Sequence, residues 1–153
     1  MIWFRLDNRL IHGQIIEAWL PYTRANHLVV CNAELAQDEL RQQIMQLAVP
    51  SRITVAFVAP GDLNALLQNL QKQDAKTLVI FSDCTDARTA YDAETRFSVL
   101  NIGNMHYASG KQQICGHVAL SPEDASCLHT FADAGVRLDF RCVPNDKTEV
   151  TNW

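Results

Sequence analysis

Glycine and proline are scarce, at six and five of 153 residues. That excludes a fibrous or low-complexity chain. Long apolar runs are missing too: none approaches the roughly 18–20 consecutive apolar residues that span a bilayer. The N-terminus, Met-Ile-Trp-Phe-Arg-Leu-Asp, has neither the basic start nor the long apolar stretch of a signal peptide. These absences predict a soluble, cytoplasmic protein that does not itself span a membrane. Positive charge is not in excess. Lys and Arg number 13 against 17 Asp and Glu, for a net charge of −4 and a pI near 5.6. A nucleic-acid partner held by bulk charge is excluded, although a local basic pocket is not. The five cysteines, Cys31, Cys84, Cys115, Cys127 and Cys142, are widely spaced and contain no Cys-x-x-Cys pair. They read as reduced, half-buried thiols. His27, His106, His117 and His129 are scattered, so no metal cluster is implied. A glycine-rich loop of the P-loop kind is also absent.

What is present is ordinary globular composition, 48% hydrophobic and 20% charged. The length suits a single domain over residues 1–153. Short apolar runs alternate with amphipathic stretches of helical length. Strands are expected at Ile2–Leu6, His27–Cys31, Ile53–Val58, Thr77–Phe81 and Ser98–Ile102. Between them, helices are expected at Gly13–Tyr22, Asp38–Ala48, Pro60–Lys72 and Asp83–Glu94. Ile114–Leu120 reads as a short strand. Ser121-Pro122-Glu123-Asp124 opens a helix that runs to about Ala134, with Gly135 as its C-cap. Val136–Cys142 alternates apolar and charged residues, which predicts an antiparallel or exposed edge strand. The whole predicts an α/β fold: a mostly parallel, twisted sheet with helices on both faces. Ligands of such folds bind beyond the C-terminal strand ends, where strand order reverses.

One of those strand-end loops is dense with polar groups: Asp7-Asn8-Arg9-Leu10-Ile11-His12-Gly13-Gln14. His12 falls at the mouth of a helix, where free N–H groups and the helix dipole favour an anion. Gly13 lets the backbone approach a ligand closely. Arg9 offers a forked donor for phosphate oxygens. A neutral imidazole attacks phosphorus near pH 7. The charge spread over a phosphoryl group in transfer then suits Arg9 and the N–H groups of Gly13 and Gln14. Asp7 is placed to orient Arg9 or His12. On residue chemistry alone a plainer reading stays open: Asp7 and Arg9 form a loop ion pair, and His12 caps the helix.

The run Asp7-Asn8-Arg9-Leu10-Ile11-His12-Gly13-Gln14-Ile15 resembles a specific signature. It is that of the enzyme IIB component of the mannose–fructose–sorbose family of the bacterial phosphotransferase system (PTS). That family typically shows Asp-Asp-Arg-Leu-Ile-His-Gly-Gln-Val here. The likeness extends to Val30-Cys31-Asn32-Ala33-Glu34, to Asn101-Ile102-Gly103-Asn104-Met105 and to Val143-Pro144-Asn145-Asp146, so it covers almost the whole chain. The resemblance implies that His12 accepts a phosphoryl group from a phosphohistidine of a IIA domain. It implies delivery to a sugar bound by membrane IIC/IID components. By the same likeness Arg9 binds the phosphoryl group, and Ser82, after the fourth strand, forms a second wall of that site. No metal or organic cofactor is implied.

Two residues depart from the family pattern. Asn8 stands in place of an acid, which removes a negative charge beside the incoming phosphate. Asn104 stands in place of a glycine, and Asn is the least costly substitute if that position takes positive φ. Three readings follow: a phosphoryl carrier in sugar uptake, a regulatory phosphoprotein fed by the same donor, or a small anion-binding α/β enzyme. A homodimer is neither required nor excluded. Among the remaining residues, Arg5 and Arg24 are expected on the surface around the active loop, and Trp153 is expected to be mobile.

Overall fold

The structure, a computed structural model, describes residues 1–153. Eight strands form: β1 (Ile2–Asp7), β2 (His27–Cys31), β3 (Thr54–Val58), β4 (Thr77–Phe81), β5 (Val99–Asn104), β6 (Gln112–Cys115), β7 (Val118–Leu120) and β8 (Arg137–Asp139). Six of them make one sheet in the order β3-β2-β4-β1-β5-β8, with every neighbouring pair parallel. The nearly all-apolar β2 and β4 lie inside the sheet, covered on both faces, as their composition requires.

The chain runs from β1 toward β3 on one side and from β4 toward β8 on the other. Right-handed crossovers therefore place the two sets of helices on opposite faces. One face carries α1 (Leu20–Thr23) and α2 (Glu39–Gln46). Trp19 and Leu20 pack there against Leu28, Val30, Leu78 and Ile80. The other face carries α3 (Leu63–Lys72), α4 (Cys84–Asp92) and α5 (Pro122–Asp133). Leu63, Leu67 and Phe131 join Val29, Val79 and Ile102 in the larger core. β1 sends its connection to the first face, whereas its neighbours β4 and β5 send theirs to the second. The C-terminal end of β1 is thus the point of reversal.

Most expected elements form. Asp83 caps α4 by accepting from the Asp86 N–H at 2.9 Å. Ser121 and Asp124 make a reciprocal capping box on α5. Gly135 takes φ +89° just beyond that helix.

Four expectations change. The C-terminal strand lies at the sheet edge, as expected, and runs parallel, but it is shorter than Val136–Cys142: it stops at Asp139, because Phe140–Cys142 turn away to cover Arg5. Ile114–Leu120 is not one strand: β6 and β7 form an antiparallel hairpin that turns at Gly116-His117. α2 forms, but Leu40, Ile44 and Leu47 face outward at 68%, 59% and 87% exposure. Leu35, in the turn before α2, takes the buried place instead. Trp153 is packed, with its ring stacked on His129 at 4.0 Å.

Candidate functional site

Side chains alternate along a strand, so Trp3, Arg5 and Asp7 share one face of β1. No helix crosses that face beside β5, and small or polar residues of β5 leave a recess. Arg5 lies in it, 1% exposed. Its Nε and Nη2 donate to Asp7 Oδ2 at 3.1 and 3.0 Å. Nη1 donates to Asn101 Oδ1, and Nη2 also donates to the Cys142 carbonyl at 3.0 Å. It also sits 4.9 Å from the Trp19 ring. A methyl group on Gly103 would overlap the guanidinium, so a larger residue there would displace Arg5. Arg5 was expected at the surface; it is instead the buried counter-ion of the loop. The recess accepts it because every polar end of the group finds a partner.

Asp7 is fully buried. Oδ2 also accepts from His12 Nε2 at 2.8 Å and from Asn104 Nδ2 at 3.0 Å. Oδ1 accepts the Arg9 N–H at 3.0 Å. Burial pushes the carboxyl pKa up. The His12 hydrogen bond, the Arg5 charge and the Asn104 amide outweigh that and hold it below its ordinary value. Burial likewise lowers the Arg5 pKa, against the pull of Asp7. Asp7 is therefore an anion at neutral pH and can only accept. In the neutral imidazole that fixes the tautomer, with the proton on Nε2 and the lone pair on Nδ1. Nδ1 is buried and has no partner.

The loop is held in an unusual shape. Leu10 takes φ +58°, a left-handed conformation that costs a side-chain-bearing residue roughly 1–2 kcal/mol. Its buried side chain and the bond from its N–H to the Asp7 carbonyl, 3.0 Å, keep it there. The His12 carbonyl then accepts from both Ile15 and Ile16 N–H, and a π-helical turn spans Ile15–Trp19. Such turns are frequent at functional sites. Here Pro21 has no N–H to continue an ordinary ladder. Gly13 is exposed with open space around it. The backbone N–H groups of Gly13 and Gln14 have no acceptor in the protein.

A family model described as the PTS system sorbose subfamily IIB component matches residues 1–152. The chain belongs to this family. It is similar to the sorbose-specific EIIB component of Klebsiella pneumoniae, at 32% identity over 93% of this chain and 87% of that one. It is equally similar, at 32% over 93% and 90%, to an N-acetylgalactosamine-specific IIB component 2 of Escherichia coli K12. Among solved structures, the N-acetylgalactosamine-specific IIB component 1 of Escherichia coli superposes with a TM-score of 0.91. That match has 27% identity and covers 99% of this chain and all of that one.

In this IIB component the residues singled out by sequence are not all joined. Asp7 and His12 are. Arg9 meets Asp7 only through its backbone; its exposed guanidinium touches no acid, so the Asp7–Arg9 ion pair does not form. The Gln14 side chain is engaged, accepting from Asn104 Nδ2 at 2.9 Å. Ser82 directly follows Phe81, which pairs with Leu6 in the ladder. It therefore stands beside Asp7 at the strand ends, and its hydroxyl makes no hydrogen bond within the protein. Arg24 is exposed and caps α1 in a left-handed conformation.

Two residues of the site were missed: Arg5 and Asn104. A charged residue two positions before Asp7, in an otherwise apolar strand, was the available signal for Arg5. Asn104 does not take positive φ. It ends β5 in extended backbone, and its amide ties Asp7 to Gln14.

Proposed function

We propose that this IIB component carries phosphate in sugar uptake, on Nδ1 of His12. The observation that carries the reading is the 2.8 Å bond from His12 Nε2 to a buried, anionic Asp7. It presents one ring nitrogen as a nucleophile and fixes the other as a donor. The Nδ1 lone pair attacks the phosphorus of a IIA phosphohistidine; the Nδ1–P bond forms as the donor's N–P bond breaks. Nε2 keeps its proton, so the phosphorylated ring is cationic, and the Asp7 carboxylate stabilises that charge. The second transfer reverses the logic: a hydroxyl of a sugar bound by IIC/IID attacks phosphorus and gives up its proton to solvent, the Nδ1–P bond breaks, and the imidazole leaves neutral with its Nε2 proton.

Arg9 supplies an exposed guanidinium for the equatorial oxygens, and the free N–H groups of Gly13 and Gln14 supply fixed donors. Ser82 adds a hydroxyl from the neighbouring strand end. Nδ1 has no accessible area, so transfer requires the Arg9–His12 segment to open as the partner docks. The strained Leu10 stores part of the energy for that motion. The reading places this single domain, residues 1–153, in the cytoplasm between the IIA donor and the membrane components.

Phosphorylated IIA mixed with the protein tests this. Intact mass should show an acid-labile, base-stable adduct on the wild type and none on His12→Ala. Arg9→Ala should form it about 10²–10³-fold more slowly, as loss of one charge-stabilising donor predicts. An adduct that persists in His12→Ala refutes the assignment.

A further inference from the structure

β1 and β5 do not pair along their whole length. β1 pairs with β4 from Ile2 onward, yet its ladder with β5 begins only at Arg5–Asn101. Val99 and Leu100 pair with β8 but not with β1. Below Arg5 the sheet is therefore open, and a cavity of about 700 Å³ occupies the gap. That size is typical of small-molecule sites.

Two residues that line it each carry a buried polar atom with no partner: Trp3 Nε1 and, on a residue only 2% exposed, Thr95 Oγ1. Native proteins leave few such groups unpaired. From α3, Gln68 and Gln71 add carboxamides, which both donate and accept. Arg137 adds an exposed guanidinium with no ion pair. Of the lining acids, Asp139 is neutralised by Arg141 at 2.8 Å, leaving Glu94 against Arg96 and Arg137. The site is thus rich in donors, carries positive charge at one side and is walled by Trp3 and Phe97.

We propose that this cleft binds a phosphorylated sugar, with Arg137 on the phosphate and the Trp3, Thr95 and glutamine groups on the hydroxyls. The choice of a sugar phosphate over other polyhydroxylated anions rests on the proposed function, whose end product is of that class. The site is separate from His12. It adjoins it through Asn101, which lines the cleft and accepts from the Arg5 that holds Asp7.

The test is a titration of the ¹⁵N-labelled chain with a hexose 6-phosphate, with free hexose and inorganic phosphate as controls. The expected result is a saturable shift of the Trp3 indole N–H and of the Thr95–Val99 amides, given by neither control. Arg137→Ala should weaken that binding about tenfold, the loss of one charge-assisted contact. Thr95→Val should also weaken it, while raising the unfolding temperature of the free protein, because an orphaned hydroxyl is removed. Shifts confined to Arg9–Gln14 would overturn the cleft while leaving the phosphoryl relay intact. Equal shifts with inorganic phosphate alone, or no saturation at millimolar ligand, would overturn it too. Failure of His12 phosphorylation alone bears on the relay, not on the cleft.

Discussion

Replacing Arg5 by methionine keeps the aliphatic bulk and removes the charge. In the folded protein Asp7 would then be fully buried without its cation, and Asn101 Oδ1 and the Cys142 carbonyl would each lose a donor. Breaking one side of a buried pair in this way costs about 3–5 kcal/mol. For a chain of this size each kcal/mol lowers the unfolding midpoint by about 2–4 °C, which predicts a fall of roughly 6–20 °C. Urea unfolding should show a lower midpoint with an unchanged slope.

A double-mutant cycle separates the pair from general damage to the recess. Arg5→Met and Asp7→Asn should each destabilise, and the double variant should cost less than their sum by about 1–3 kcal/mol. A cost below about 1 kcal/mol for Arg5→Met, or strict additivity in the cycle, would refute the view that Arg5 is the counter-ion of the site.

Other consequences follow from the same geometry. The folded-state pKa of Asp7 lies below its ordinary 3.8. Its contribution to stability is therefore present above that value and is lost as pH falls through it toward the folded value. The stability gap between wild type and Asp7→Asn should be widest near neutral pH and shrink below roughly pH 4, read from urea midpoints; a gap that does not change with pH would contradict the assignment. Asn104→Gly removes the amide that ties Asp7 to Gln14. It should cost about 1–2 kcal/mol and slow His12 phosphorylation, with Asn104→Gln restoring neither fully, because the longer side chain overshoots both partners. Leu40→Gln and Leu47→Gln should each change stability by less than about 0.5 kcal/mol, whereas Leu35→Ala should cost about 2–5 kcal/mol. Large losses at Leu40 or Leu47 would show that α2 turns its apolar face inward.

Much of this protein was fixed by local pattern. Apolar β2 and β4, the Ser121 capping box and the leucines of α3 act through near neighbours and burial periodicity, so they are legible along the chain. The loop from Asp7 to Gln14 is legible too, because a histidine, an arginine and a glycine at a helix mouth are chemistry written in consecutive residues. Family membership follows from that run and its continuation.

What only the tertiary structure decided is the company those residues keep. Arg5 is two residues from Asp7 in sequence, but its burial depends on Asn101, Gly103 and the Cys142 carbonyl, which arrive from β5 and beyond β8. Asn104 reads as a loop substitution until the ladder of β1 with β5 sets it over Asp7 and Gln14. The outward face of α2 and the open gap below Arg5 likewise depend on where the sheet ends and where its ladders begin. Spacing along a chain specifies which side a residue faces. It does not specify what stands opposite, and that is what sets the tautomer and the reach of His12.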